Sequence, residues 1–146
     1  MSLKDWLQRG LLTEHETSLY EIRELFALAD RDLEDCELPG LSADRRLSIA
    51  YNAALQIAKA ALAAKGYRVG REAHHYWIIQ SLAYTVEYDS KLVEKLDAFR
   101  KKRNISDYER TGAVSDIEAD EMIKLAKMIK EDIKSWLRKH YPRLLN

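Results

Sequence analysis

The sequence predicts an all-α protein, an up-and-down bundle of four to five helices, and three observations carry that expectation. Apolar residues recur at three- and four-residue intervals over five separate stretches, the period of a helix buried along one face. Glycine and proline are scarce, five and two in 146 residues, and they fall between those stretches. The chain also shows no alternating run of strand length, no internal repeat and no low-complexity tract. Residues 1–146 are expected to form a single domain, long enough to bury roughly two thirds of the surface its unfolded chain exposes.

Residues 1–12 are a short N-terminal helix or extension, with Lys4 to Leu12 as its helical part. Thr13-Glu14-His15-Glu16 has the form of a capping box opening a long helix, in which Leu19, Ile22, Phe26 and Leu33 make the apolar side. Leu38-Pro39-Gly40-Leu41-Ser42 ends it, and Ser42 can cap the next helix. There Leu47, Tyr51, Ala54, Leu55, Ala58 and Leu62 recur at helical intervals and Gly66 suits the left-handed position past the end. Its many alanines favour helix and let neighbours approach closely, so this is the expected central helix.

Tyr67 to Gly70 reads as a turn. A third helix follows from about Arg71 to Tyr84, with His75, Ile78, Ile79 and Leu82 on inward positions. The fourth begins near Ser90 and runs to Arg103-Asn104, after which Ser106-Asp107 and Thr111-Gly112 suggest an irregular link. Ser115-Asp116-Ile117-Glu118 is a second capping box, opening a helix that ends near His140 before Pro142. Acidic residues crowd its start and basic residues its end, which suits the helix dipole.

Formal charge balances at 24 basic and 24 acidic residues, but its distribution is uneven. Residues 14–37 carry nine carboxylates against Arg23 and Arg31, whereas 38–71 hold six cations against Asp44, and 100–103 are basic throughout. Such local patches can attract an anion or an oppositely charged partner despite zero net charge. Cys36 stands alone, which excludes an intramolecular disulfide and a multi-cysteine zinc site. With no secretory signal and no apolar run of bilayer length, the expected setting is cytoplasmic, without a membrane.

Leu92, Leu96, Phe99 and Arg103 are spaced by four, three and four, which puts the arginine on the apolar stripe of its helix and not on the solvated face. A guanidinium there, followed by polar Asn104 and by Tyr108 five positions on, could hold a phosphate through charge-assisted hydrogen bonds. Adjacent His74 and His75 point roughly 100° apart on a helix and cannot both face one site. They have no i, i+4 partner and the chain has no HExxH pattern, so no metal is expected. Tyr51 and Asn52 lie mid-helix, where a buried polar network and a ligand contact are both open. Trp6, Trp77 and Trp136 fall on separate helices and read as packing anchors.

Ala50 to Leu62, then Gly66-Tyr67, His74-His75 and Arg103-Asn104-x-x-x-Tyr108, together resemble a HEPN domain, most clearly from about Arg45 to Arg110. That resemblance implies a helical bundle that commonly pairs as a homodimer, facing two Arg-polar-x-x-x-His motifs across one cleft. Ribonuclease members cut RNA there without a metal or other cofactor, leaving a cyclic phosphate and a free 5′-hydroxyl. Other members are toxins paired with a small nucleotidyltransferase antitoxin, or inactive binding versions.

Arg103 matches the family arginine and Asn104 the polar residue after it, while Tyr108 stands where active members place histidine. A tyrosine, with a pKa near 10, is a poor base at neutral pH but still donates a hydrogen bond. The resemblance therefore implies an RNA- or nucleotide-binding module, toxin-like, with weakened or lost ribonuclease activity. Arg103, Asn104 and Tyr108 form its candidate centre, and Arg100, Lys102, Arg110, His74 and His75 are the candidate contacts around it. An active metal-independent endoribonuclease that uses Tyr108 or a histidine from another helix is the second expectation, and a helical protein-interaction module the third.

Overall fold

Alanine decides which helix lies at the centre. The computed structural model describes residues 2–70, 73–108 and 112–145, without the side chains of residues 107 and 108. Within it the helices are α1 (Leu3–Gln8), α2 (Leu19–Asp35), α3 (Ala43–Ala64), α4 (His74–Ser81), α5 (Ser90–Tyr108) and α6 (Asp116–His140), with a 3-10 turn at Pro142–Leu144. Ala50, Ala53, Ala54, Ala58, Ala60 and Ala61 of α3 are all fully buried, pointing to several sides of the helix axis. Side chains of that size let α2 and α6 pack closely along it, and these are the two most extensive helix contacts in the fold; α4 and α5 cover another part of α3. Helix α3 is long and apolar enough by length and composition to cross a membrane, and two thirds of its apolar window is buried among its neighbours.

The larger shape-filling residues come from the facing stripes. Ile22, Phe26 and Leu33 of α2, Leu47 and Ile57 of α3, Leu96 and Phe99 of α5, and Met122, Ile129 and Ile133 of α6 join one cluster. Each such side chain, fully buried, contributes roughly 1.5–3 kcal/mol relative to exposure. Charged pairs then fix α6 against its neighbours: Lys127 with Glu37, Lys130 with Asp30, and Arg46 with Asp120. Tyr88 adds a hydrogen bond of 2.7 Å from its hydroxyl to Asp132. Burial, and then that bond to a carboxylate, push the Tyr88 phenol above its ordinary pKa.

Helix ends follow the expected chemistry at three places. Ser42 caps α3 by accepting from the Arg45 amide at 3.2 Å, and Gly66 leaves the same helix at φ +97°. At α6 the reciprocal capping box is complete, with Ser115 Oγ accepting from the Glu118 amide and Glu118 accepting from the Ser115 amide.

Several boundaries differ from the sequence expectation. A small antiparallel sheet pairs β1 (Leu12–Glu14) with β2 (Tyr67–Val69), where no strand was expected and 67–70 read as a turn. Three-residue strands are too short to show an alternating pattern. They form because Gly66 turns the chain back along α3, while Leu12 joins Leu3, Trp6 and Leu62 in a second, smaller core. This pairing also displaces the capping box assigned to Thr13. The cap of α2 is Ser18, whose hydroxyl accepts from the Glu21 amide at 3.1 Å. Glu21 itself turns away to His15 and Thr17. Helix α1 stops at Gln8 ahead of Gly10, which lies at φ +78°.

Helix α4 is shorter than Arg71 to Tyr84, beginning after Ala73 at φ +49° without a side-chain cap. Helix α5 is longer than expected and passes through Arg103-Asn104 to Tyr108, since no glycine or proline interrupts the chain before Gly112. Asp44 then anchors the start of the next connection by accepting from the Gly112 amide at 2.8 Å and the Val114 amide at 3.3 Å.

Candidate functional site

The stripe of α5 delivers Arg103 where its spacing puts it. Leu96 and Phe99 are buried, Arg103 is half-buried, and its guanidinium carbon lies 5.6 Å from the centre of the Tyr51 ring on α3. One turn earlier, Arg100 sits 5.5 Å from the Tyr76 ring centre on α4. Its Nε donates to Asp97 Oδ1 at 2.7 Å. Cation–π contact of this kind holds a guanidinium over a ring. Two arginines of one helix are thus braced by tyrosines from two others.

His75 lies in the same cluster. Its Nδ1 is 3.3 Å from the Tyr51 hydroxyl, and its ring centre is 5.9 Å from that of Tyr51. Burial first, and then the positive field of His74, Arg103, Arg100 and Lys59, bring the His75 pKa down to about 4. The imidazole is consequently neutral at pH 7. Burial also pushes the Tyr51 phenol well above its ordinary value, although Arg103 and Arg100 act in the opposite direction. Tyr51 therefore keeps its proton and fixes the tautomer of His75 by the role it takes. As a donor it leaves Nε2–H to donate to a ligand; as an acceptor from Nδ1–H it leaves Nε2 as a base.

The remaining sequence candidates divide. His74 touches His75 edge-on, with ring centres 4.4 Å apart, but it is exposed and lines a separate cavity beside β2. The two histidines face different places, as their helical spacing requires. Asn104 is half-buried on α5 beside Arg103. Lys102 lies 3.4 Å from Glu118 and links α5 to the start of α6. The Tyr108 side chain and all of Arg110 lie outside the described residues.

Three members of the cluster escaped the list of site residues. Tyr51 offered a signal, as a hydroxyl-bearing ring in the middle of an alanine-rich helix. Tyr76 and Asp97 offered none, because their importance depends on which side of α4 meets α5. Trp6 and Trp77, expected as separate anchors, meet at 5.1 Å in an edge-to-face pair, and Tyr84 meets Trp6 edge-on at the same distance. The acidic stretch 14–37 is partly neutralised within the molecule, since Asp30 and Glu37 pair with lysines of α6. No protein-family model and no curated protein matches the chain.

Proposed function

We propose that this HEPN-like bundle binds RNA through the phosphate backbone at the α3–α4–α5 cluster. The observation that supports this most directly is the pair of guanidiniums, Arg100 and Arg103, held by Tyr76 and Tyr51, with His75 against the Tyr51 hydroxyl. A phosphate reaching them meets charge-assisted donors already positioned. Binding of this kind is electrostatic and weakens steeply with salt. Two copies of the chain facing each other would line one RNA groove with both arginine pairs, and a homodimer is part of the proposal.

A second reading, an active metal-independent endoribonuclease, is supported by one specific feature, the neutral His75 imidazole that shares Tyr51 with Arg103, although its lowered pKa makes it a weak base. With Nδ1–H donating to Tyr51, His75 Nε2 can take the proton of a ribose 2′-hydroxyl. The 2′-oxygen then attacks the adjacent phosphorus, the bond to the 5′-oxygen breaks, and that oxygen takes a proton from water. Arg103 stabilises the charge that builds on the phosphoryl oxygens. The products are a 2′,3′-cyclic phosphate and a 5′-hydroxyl.

Incubating end-labelled RNA with the wild type, Arg103→Ala and His75→Ala in EDTA tests both readings. Binding without cutting, weakened about tenfold or more in Arg103→Ala, is the outcome expected of the binding module. Cyclic-phosphate ends lost in both variants establish the nuclease. RNA retention equal in wild type and Arg103→Ala, with no new ends, overturns the site and leaves a protein-interaction module.

A further inference from the structure

We infer that the open cavity lined by α2, α3, β2 and α4 binds an aromatic organic anion, a planar ring carrying one carboxylate or phosphate. The cavity has a volume of about 370 Å³, at the small end of the range for small-molecule sites. It lies apart from Arg100 and Arg103, neither of which lines it, so the inference does not depend on RNA binding.

The walls are chemically divided. Leu62 and Ile78 are buried and give an apolar floor, and half-buried Tyr67 supplies an aromatic wall. Lys59 and Arg68 are exposed and line the same space. Neither forms an ion pair among the described residues. The carboxylate in the lining is Glu21. Glu21 receives His15 Nε2 at 2.8 and 3.0 Å and the Thr17 hydroxyl at 2.6 Å. The lining therefore sets two cations, Lys59 and Arg68, against one carboxylate, with Arg68 in electrostatic reach of Glu21, and it keeps an excess of one positive charge. A neutral apolar ligand would leave those cations unused, and a hydrophilic anion would leave the floor wet. A ring with one anionic group satisfies both.

Titration calorimetry of the intact chain with indole-3-acetate, phenyl phosphate and neutral indole-3-acetamide tests this. Saturable binding of an acid is expected, with the amide at least about tenfold weaker. The head group that binds more tightly identifies the source as a carboxylate or a phosphate ester. Arg68→Ala and Lys59→Ala should each weaken the acid by about threefold to tenfold, whereas Arg31→Ala, outside the cavity, should not. Both cavity residues are exposed, so their helical circular dichroism should stay at the wild-type level. No saturable binding up to about 1 mM, equal binding of acid and amide, or equal weakening by Arg31→Ala each overturns the proposal.

Discussion

Lowering the pH should destabilise this protein in part through one imidazole, His75, and replacing it with glutamine should remove that part. In the unfolded chain His75 titrates near 6.5, whereas in the fold it is brought down to about 4. A lowered histidine pKa means that the unfolded state binds more protons through this window. Stability is therefore undiminished above about pH 6.5 and is lost as the pH falls toward 4. Between pH 7 and about pH 4.5 the full linkage from that displacement is about 2.5 kcal/mol, and screening of a half-buried ring reduces the expected loss to about 1–2 kcal/mol.

Urea denaturation of the wild type and His75→Gln across this range isolates the effect, because the carboxylates titrate alike in both and cancel in the difference. The wild-type curve should fall more steeply, and the His75 ring protons in an NMR titration should move well below 6.5. Arg103→Met should return the midpoint only part of the way, because burial, the larger cause, persists in that variant. Parallel stability curves for wild type and His75→Gln, or an ordinary titration of His75 near 6.5, would refute the reasoning.

Asp44→Ala should cost about 1–2 kcal/mol in the urea midpoint, since it removes the acceptor for the Gly112 and Val114 amides and a carboxylate in the first turn of α3. Gly66→Ala should cost about 1–2 kcal/mol by the same measurement. The residue sits at φ +97°, and its carbonyl accepts the His15 amide at 2.8 Å, which prevents an easy change of conformation.

Long elements were legible in the sequence because many residues vote for the same period. The alanine-rich helix, its Ser42 cap and Gly66 exit, and the Ser115 capping box all stand where their local chemistry puts them. The two short strands were not legible. Leu12 and Val69 are strand residues through packing against a core that sequence proximity does not reveal. The start of α2 failed for a related reason, since Thr13-x-x-Glu16 and Ser18-x-x-Glu21 match the same cap pattern. Only the pairing of residues 12–14 with 67–69 decides between them.

The candidate site shows the same division. Arg103 was legible from its stripe, because a spacing of three and four residues fixes direction on one helix without knowledge of any neighbour. Its companions could not be found that way, for they are supplied by α3 and α4. Helix α5 also continues without a break, which carries position 108 about 140° around the axis from position 103. Their Cα atoms therefore project to different sides of one helix. His75 has the converse relation: remote in sequence, it reaches the Tyr51 ring that Arg103 covers. Tyr108 stands where the resembling family places histidine, and its side chain lies outside the described residues. His75→Ala is the more informative substitution, since it removes the imidazole that shares Tyr51 with Arg103 and leaves the α5 sequence unchanged.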